Sequence, residues 1–276
     1  LSIHEAALVD YAGMNLARGD GGVLRAALTP GDDHGAAVVR SVPFHTPWRT
    51  IQVGEDAGDL AESSLILNLN EPNRLGDVSW FKPAKYVGVW WSLHLDTETW
   101  ATGPRHGATT ANTKRYIDFA AANGFRGVLV EGWNPGWDGD WFANGWDFDF
   151  TRPVPGFDLE ALAAYAAGKG VHLVGHHETA CAVSHYERQL PAALDLYARH
   201  GVDVVKTGYV CDAGDIQRQD QAGGPVLREW HEGQWMSNHH LRVVQQAAQR
   251  HIAVNAHEPI KDTGLRRTYP NWVSRE

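Results

Sequence analysis

The pattern of apolar and polar positions changes character near residue 80. Before that point apolar residues come in short β-branched runs, Ala37–Arg40, Thr50–Val53 and Ser64–Leu69. Clusters of Gly, Asp and Pro separate them, such as Thr29–Asp33 and Glu55–Asp59. Short runs with turn chemistry between them predict antiparallel strands, in a sandwich rather than a barrel. About five can be found, fewer than a whole sandwich needs. Residues 1–80 are therefore expected to be the C-terminal part of a β-sandwich domain, closed by a linker at Glu71–Trp80 that carries Pro72, Asn73 and Gly76.

From Lys85 onward strand-like and helix-like stretches alternate. Strands are predicted at Tyr86–Leu93, Gly127–Trp133, His172–Glu178, Val202–Val210 and Ile252–Glu258. Helices are predicted near Asn112–Asn123, Leu159–Gly168, Ser184–His200 and Gln234–Arg250. Gly124 supplies a C-terminal stop, and Asp158 stands as an N-cap three residues before Ala161. Such alternation gives a parallel sheet with right-handed crossovers. A closed barrel needs eight strands, whereas five are found here, with a sixth starting near Thr268. The expected fold is α/β: residues 81–276 form the N-terminal part of a (β/α)8 TIM barrel. An open Rossmann-type sheet is disfavoured, because no G-x-G-x-x-G follows the first strand.

Composition narrows the partners. With 33 acidic against 24 basic residues the formal net charge is −9, which argues against nucleic acid or an anionic membrane surface. No run of eighteen apolar residues is present, so no membrane-spanning helix is expected. The 12 Trp suit sugar-ring platforms and core packing alike. The two cysteines, Cys181 and Cys211, make no disulfide framework. They follow neighbouring predicted strands, so a bridge is conceivable, but two reduced thiols are the expectation. The chain opens on Leu1 without a signal peptide and stops at Glu276 with its last element unfinished, as a piece of a longer protein would. Oligomeric state is not legible.

A buried parallel strand should be almost wholly apolar, yet four of these strands end in ionisable groups. The runs are GVLVEGW, HLVGHHE, VDVVKTGY and IAVNAHE. A (β/α) barrel builds its active site at those C-terminal strand ends. Glu178 and Glu258 then become two carboxylates on one rim, as glycoside hydrolases use, unless each merely caps its strand and pairs with a cation. His176 and Glu178 face inward and His177 outward, by strand alternation. His257 and Glu258 share a side only if their strand has ended. Hydrogen-bonding histidines around a sugar are favoured over a zinc cluster. Lys206 must meet a carboxylate or a substrate hydroxyl, because a buried ammonium is costly unpaired. Glu131 reads as a tether for the following loop, and Asp212 and Asp215 as solvated charges. Trp133, Trp137, Trp141 and Trp146 read equally as a stacking wall or a packed lid. Glu5 alone reads as a solvated surface residue.

Several motifs in order resemble glycoside hydrolase family 97. They are HEAAL at His4–Leu8, GVWWSL at Gly88–Leu93, VLVEGWNPGW at Val128–Trp137, HHET at His176–Thr179 and VKTGYV at Val205–Val210. GQWMSN at Gly233–Asn238, VNAHE at Val254–Glu258 and TGLRRTYPN at Thr263–Asn271 complete the set. The resemblance implies a β-sandwich, a (β/α)8 barrel and a calcium ion in the cleft, with Glu5, Glu258 and Glu276 as its ligands here. Carboxylate oxygens suit that hard cation. It further implies Glu178 and Glu258 as the pair that activates water in inverting members. His176, His257, Lys206 and Trp91 are then substrate contacts, and the general acid is a glutamate just past Glu276. Retaining α-galactosidases of the family carry a nucleophilic Asp in the region of Lys206–Tyr209, where this chain reads KTGY.

The expected function is thus a calcium-dependent inverting α-glucosidase acting on α-linked oligosaccharides, with a periplasmic or secreted location implied by the resemblance alone. Without its general acid the chain by itself is expected to be inactive or nearly so. The alternatives are a retaining α-galactosidase of the same family, a metal-dependent amidohydrolase using the histidines, and a non-catalytic sugar-binding protein.

Overall fold

The computed structural model describes residues 1–32 and 35–276. The predicted turn at Thr29–Asp33 runs out of the described residues at its last position. In the N-terminal segment the chain forms β1 (Ser2–Ala6), β2 (Met14–Arg18), β3 (Leu24–Leu28) and β4 (Trp48–Gln52). They pair as two separate antiparallel ribbons, β1 with β4 and β2 with β3. The described residues therefore make two ribbons, not two facing sheets.

Two predicted strands are absent from this segment. Ala37–Arg40 has no sheet partner; the Gln234 side-chain amide serves Val39 instead, accepting from its N–H at 2.8 Å and donating to its carbonyl at 3.0 Å. Ser64–Leu69 forms a helical turn instead, the Asn68 amide donating to the Ser64 carbonyl at 3.0 Å and the Leu69 amide to the Leu65 carbonyl at 3.1 Å. The helices here are α1 (Ala57–Glu62) and α2 (Leu65–Asn68).

The remainder alternates as expected: β5 (Tyr86–Val89), α3 (Trp91–His94), α4 (Thr110–Ala122), β6 (Gly127–Val130), α5 (Leu159–Ala167), β7 (His172–Glu178) and α6 (Val183–Arg199). Then come β8 (Val204–Gly208), the short hairpin β9 (Ile216–Arg218) and β10 (Leu227–Glu229), α7 (Gln234–Ala248), β11 (Ala253–Ala256) and β12 (Trp272–Arg275). Asp158 caps α5 by accepting the amide of Ala161 at 3.0 Å.

Strands β5, β6, β7, β8, β11 and β12 make one six-stranded parallel sheet in that spatial order. The sheet is curled. Asn255 on β11 donates to the Tyr86 hydroxyl on β5 at 3.1 Å, although four strand-to-strand steps separate them. In a flat sheet that is about 19 Å, at roughly 4.8 Å per step. Only a sheet bent toward closure brings the two side chains together, as part of a (β/α) barrel does.

Apolar faces of α4, α5, α6 and α7 cover the outside, supplying Ile117, Leu162, Leu190, Leu194, Val243 and Val244 to the main core. The outer face of β7 is held with particular closeness. The Tyr197 hydroxyl accepts the amide of His176 at 3.0 Å and donates to its carbonyl at 3.1 Å. His177 points outward onto Tyr186 and Tyr197, as alternation predicts. The N-terminal segment docks on the loop after β11, where Ala7 donates to Thr263 at 2.9 Å and Asn70 does so at 2.8 Å.

Gly175 lets the Tyr197 ring lie against β7, since a Cβ there would stand 2.3 Å from a ring carbon. Gly175→Ala is expected to cost about 1–3 kcal/mol, the usual range for overpacking. Urea unfolding monitored by circular dichroism checks this, and an unchanged midpoint would contradict the packing described.

Candidate active site

Register decides which side chains meet. Across the parallel ladders His176 pairs with Lys206 and Lys206 with Asn255, so the three form one row on the inner face. One step further along, Glu178 pairs with Gly208. Glu131 stands immediately after β6, beside this row. The His176 Nε2 lies 3.3 Å from a Glu131 oxygen, and the Lys206 ammonium 4.0 Å from the same oxygen and 3.3 Å from Glu276. Trp100 donates its indole N–H to the other Glu131 oxygen at 2.8 Å.

Glu178 is buried at the end of β7. Its Oε1 accepts the amides of Ala180 at 2.8 Å and Val210 at 3.2 Å. The turn that follows the Ala180 amide is left-handed, Ala180 and Cys181 adopting φ of 39° and 61°. Such conformations cost non-glycine residues about 1–3 kcal/mol each. Opposite, Gly208 leaves room for the carboxylate: a Cβ there would sit 1.9 Å from Glu178 Oε2.

Glu258 lies past the end of β11, again with left-handed backbone at φ 46°. Because the strand has ended, His257 and Glu258 do share a side, with His257 Nε2 3.2 Å from Glu258 Oε1. Glu258 Oε2 accepts the amide of Tyr209 at 2.9 Å. Glu178 and Glu258 thus take hydrogen bonds from consecutive amides, those of Val210 and Tyr209. Tyr209 is itself anchored, its hydroxyl 2.9 Å from His239 Nε2 and His239 Nδ1 2.7 Å from Glu187.

Burial, and after it the nearby Glu258, pushes the Glu178 carboxyl up to about 8, against the pull of its two amides. Burial likewise pushes Glu131 up to about 7, against Trp100 and Lys206. His176 is held well below its usual value by burial and then by Lys206, so it is neutral, and its Nδ1 has no hydrogen-bond partner. Burial works to raise Glu276, yet Lys206 and His257 hold it below the usual carboxylate range.

The remaining predicted residues fall elsewhere. Trp91 opens α3 and is 59 % exposed at the rim, its ring 5.5 Å from Trp90. Trp133 and Trp137 are packed inside; Trp133 donates to the His176 carbonyl at 2.8 Å, and Trp137 stacks on the His176 ring. Trp141 and Trp146 are half-buried. Asp212 and Asp215 are exposed, as read. Glu5 is a correction: far from solvated, it is buried between Arg49 at 3.0 Å and Lys261 at 3.2 Å, and it accepts the Met14 amide at 2.7 Å. A second correction concerns the cysteines. Cys181 and Cys211 form a disulfide with Cα atoms 6.0 Å apart, because the loops after β7 and β8 emerge side by side. Glu131 and Trp100 were missed as site members; the register row that carries His176 and Lys206 was the available signal for Glu131.

Three oxygen ligands for a cation are not gathered. Among the described residues only Cys181, Cys211 and His231 bring three possible ligand atoms within 4.8 Å of one another, and both sulfurs are spent on the bridge. The rim histidines His176 and His257 are not part of that group. Glu258 and Glu276 are neighbours, the Glu258 amide donating to the Glu276 carbonyl at 3.1 Å. They fit a hard cation by donor type. Glu5, occupied by two cationic side chains, does not fit in this arrangement.

Comparison with known proteins adds three findings. The profile described as Glycoside hydrolase 97 matches residues 90–276, and that described as Glycosyl-hydrolase 97 N-terminal matches residues 1–72. A Glycoside Hydrolase Family 97 enzyme from Pseudoalteromonas sp. strain K8, solved in complex with acarbose, superposes with a TM-score of 0.97 at 59 % identity; the match covers 100 % of this chain and 41 % of that one. An enzyme of this family from the same strain has also been solved in complex with panose. A retaining α-galactosidase of Bacteroides thetaiotaomicron is 30 % identical over 85 % of this chain and 30 % of its own length. A probable retaining α-galactosidase of Streptomyces bingchenggensis is 28 % identical over 84 % and 31 %. The chain thus spans less than half the length of each of these relatives. No helix among the described residues is long and apolar enough to cross a membrane.

The raised carboxyls have a thermal consequence. A carboxyl whose folded pKa exceeds its unfolded value stabilises fully below the unfolded pKa and ceases to as pH rises through the folded one. For Glu131 and Glu178 that window runs from about 4.5 to about 7 and 8 respectively. Glu131→Gln and Glu178→Gln are expected to raise Tm by roughly 5 °C at pH 9 and to leave it nearly unchanged at pH 4. Scanning fluorimetry across that range checks the sign.

Proposed function

The chain belongs to glycoside hydrolase family 97, and from that premise we propose that the enzyme containing it hydrolyses α-glucosidic oligosaccharides with inversion of the anomeric centre. One observation carries the choice of inversion. Gly208 pairs in register with Glu178, and a Cβ at that position would overlap the Glu178 carboxylate at 1.9 Å. A nucleophilic Asp at that position would require the Glu178 carboxylate to turn away from the two amides that hold it. This chain has the base. Lys206, Thr207 and Tyr209, the other residues of the run, offer no carboxylate.

In this reading Glu178 and Glu258 draw a proton from a water held beneath the anomeric carbon, and an acid on the opposite face protonates the leaving oxygen. By resemblance that acid is a glutamate beyond Glu276. Fixed backbone amides hold both bases in place, so little reorientation is needed as the water is deprotonated. Neutral His176, Lys206 and Glu131 line the inner row and are proposed to bind sugar hydroxyls, with His257 beside the bases and Trp91 offering an exposed indole face at the rim. Glu258 and Glu276 are proposed as ligands of a calcium ion, whose positive charge would favour the ionised form of the neighbouring carboxylates. Residues 1–80 are proposed as part of a separate β domain and 81–276 as part of the barrel. The Cys181–Cys211 bridge supports a periplasmic or secreted location, since disulfides persist in oxidising compartments.

The names of the two curated relatives favour a second reading, retention on α-galactosides. Proton NMR of the first product formed from an aryl α-glucoside by the full-length enzyme separates them. The β-anomer is expected first; initial release of the α-anomer, or turnover of the galactoside alone, would overturn the proposal. Glu178→Gln is expected to lower kcat by about 10²–10⁴-fold, the usual worth of a general base. For the metal, added calcium is expected to raise the Tm of the full-length protein and of its Glu5→Gln variant, and to leave that of Glu258→Gln unmoved.

A further inference from the structure

Glu178 Oε1 is the meeting point of two segments that leave neighbouring strands. The Ala180 amide comes from the turn after β7 and the Val210 amide from the segment after β8. Thr179 adds two bonds between these segments, its amide at 3.0 Å and hydroxyl at 2.8 Å both donating to the Gly208 carbonyl. The turn itself is strained, with two successive non-glycine residues in left-handed conformation. Strain of that kind persists only when surrounding contacts over-determine it. The one covalent contact is the Cys181–Cys211 disulfide, which joins these same segments across 30 residues of sequence. Cys181 is buried beside Val183, Tyr209, Ile216 and Met236, while Cys211 is half-buried.

We propose that the Cys181–Cys211 disulfide is a positioning device for Glu178: it clamps the strained turn against the segment after β8 so that both amides reach one carboxylate oxygen. Glu258 depends on it less. Its amide donor, Tyr209, has its carbonyl 3.2 Å from Cys181 Sγ but is also held through its hydroxyl by His239 and Glu187, and through that carbonyl, 2.9 Å from His231 Nε2. Opening the bridge therefore frees one carboxylate of the pair and leaves the other in place.

The test uses the full-length enzyme with Cys181→Ser, Cys211→Ser and the double variant, alongside the parent treated with dithiothreitol. The reagent's two thiols become its cyclic disulfide while the bridge takes up two electrons and two protons; alkylation and mass measurement confirm the opening. Well below Tm, kcat is expected to fall roughly 10- to 100-fold with KM within about twofold, the scale of a misplaced catalytic group. The three variants should match one another and the reduced parent, and reductant should not affect the double variant. Hydrogen exchange should speed at the Ala180 amide on reduction while Tyr209 stays protected. Unchanged kcat in protein shown to be reduced, or a lower Tm with no selective change at Ala180, would overturn the proposal. The effect on rate rests on Glu178 being a base, and the two failures separate. If Glu178→Gln leaves kcat intact, the functional reading falls, whereas loss of protection at Ala180 reports the clamp whatever the enzyme hydrolyses.

Discussion

Two carboxylates stand at the mouth of one sheet, Glu178 buried and Glu258 half-buried, and the fold answers both with its own peptide N–H groups. Glu178 receives the amides of Ala180 and Val210, and Glu258 that of Tyr209. Amide donors favour the charged form without supplying a charge, so at Glu178 they oppose desolvation. The backbone pays with left-handed residues at Ala180, Cys181 and Glu258. The outer packing of β7 on Tyr197 and the bracing of Tyr209 by His239 and Glu187 keep those donors aimed. Much of the surrounding architecture serves to keep these three hydrogen bonds short.

The α/β part of the molecule was legible because parallel strands carry a strong signal. Seven-residue β7 matched its predicted bounds, as did the Asp158 cap. Alternation gave the inward side of His176, whereas its register with Lys206 is set by strand pairing that the sequence does not show. The N-terminal segment was harder to read, for physical reasons. Val39 satisfies its backbone with a side chain 195 residues away, a partner that local periodicity does not show. Glu5 failed for the same cause: its cations, Arg49 and Lys261, come from distant sequence. The disulfide was geometrically foreseen and energetically misjudged, since sequence places two thiols near each other without setting the redox state.

The N-terminal ribbons are joined to the site by more than tethering. Glu5 faces Lys261, three residues past Glu258, and the Thr263 carbonyl accepts from both Ala7 and Asn70. The loop that follows the second carboxylate is therefore fixed by contacts outside the parallel sheet. A disturbance in the first segment reaches the inner rim through one short stretch of chain.

The missing side chain at Gly208 couples two positions of adjacent strands. Because a Cβ at position 208 would stand 1.9 Å from the tip of Glu178, any larger residue there obliges that carboxylate to swing out of its seat. What occupies one strand thus sets where the acidic group of the next can rest, and neither position is free to vary without moving the other.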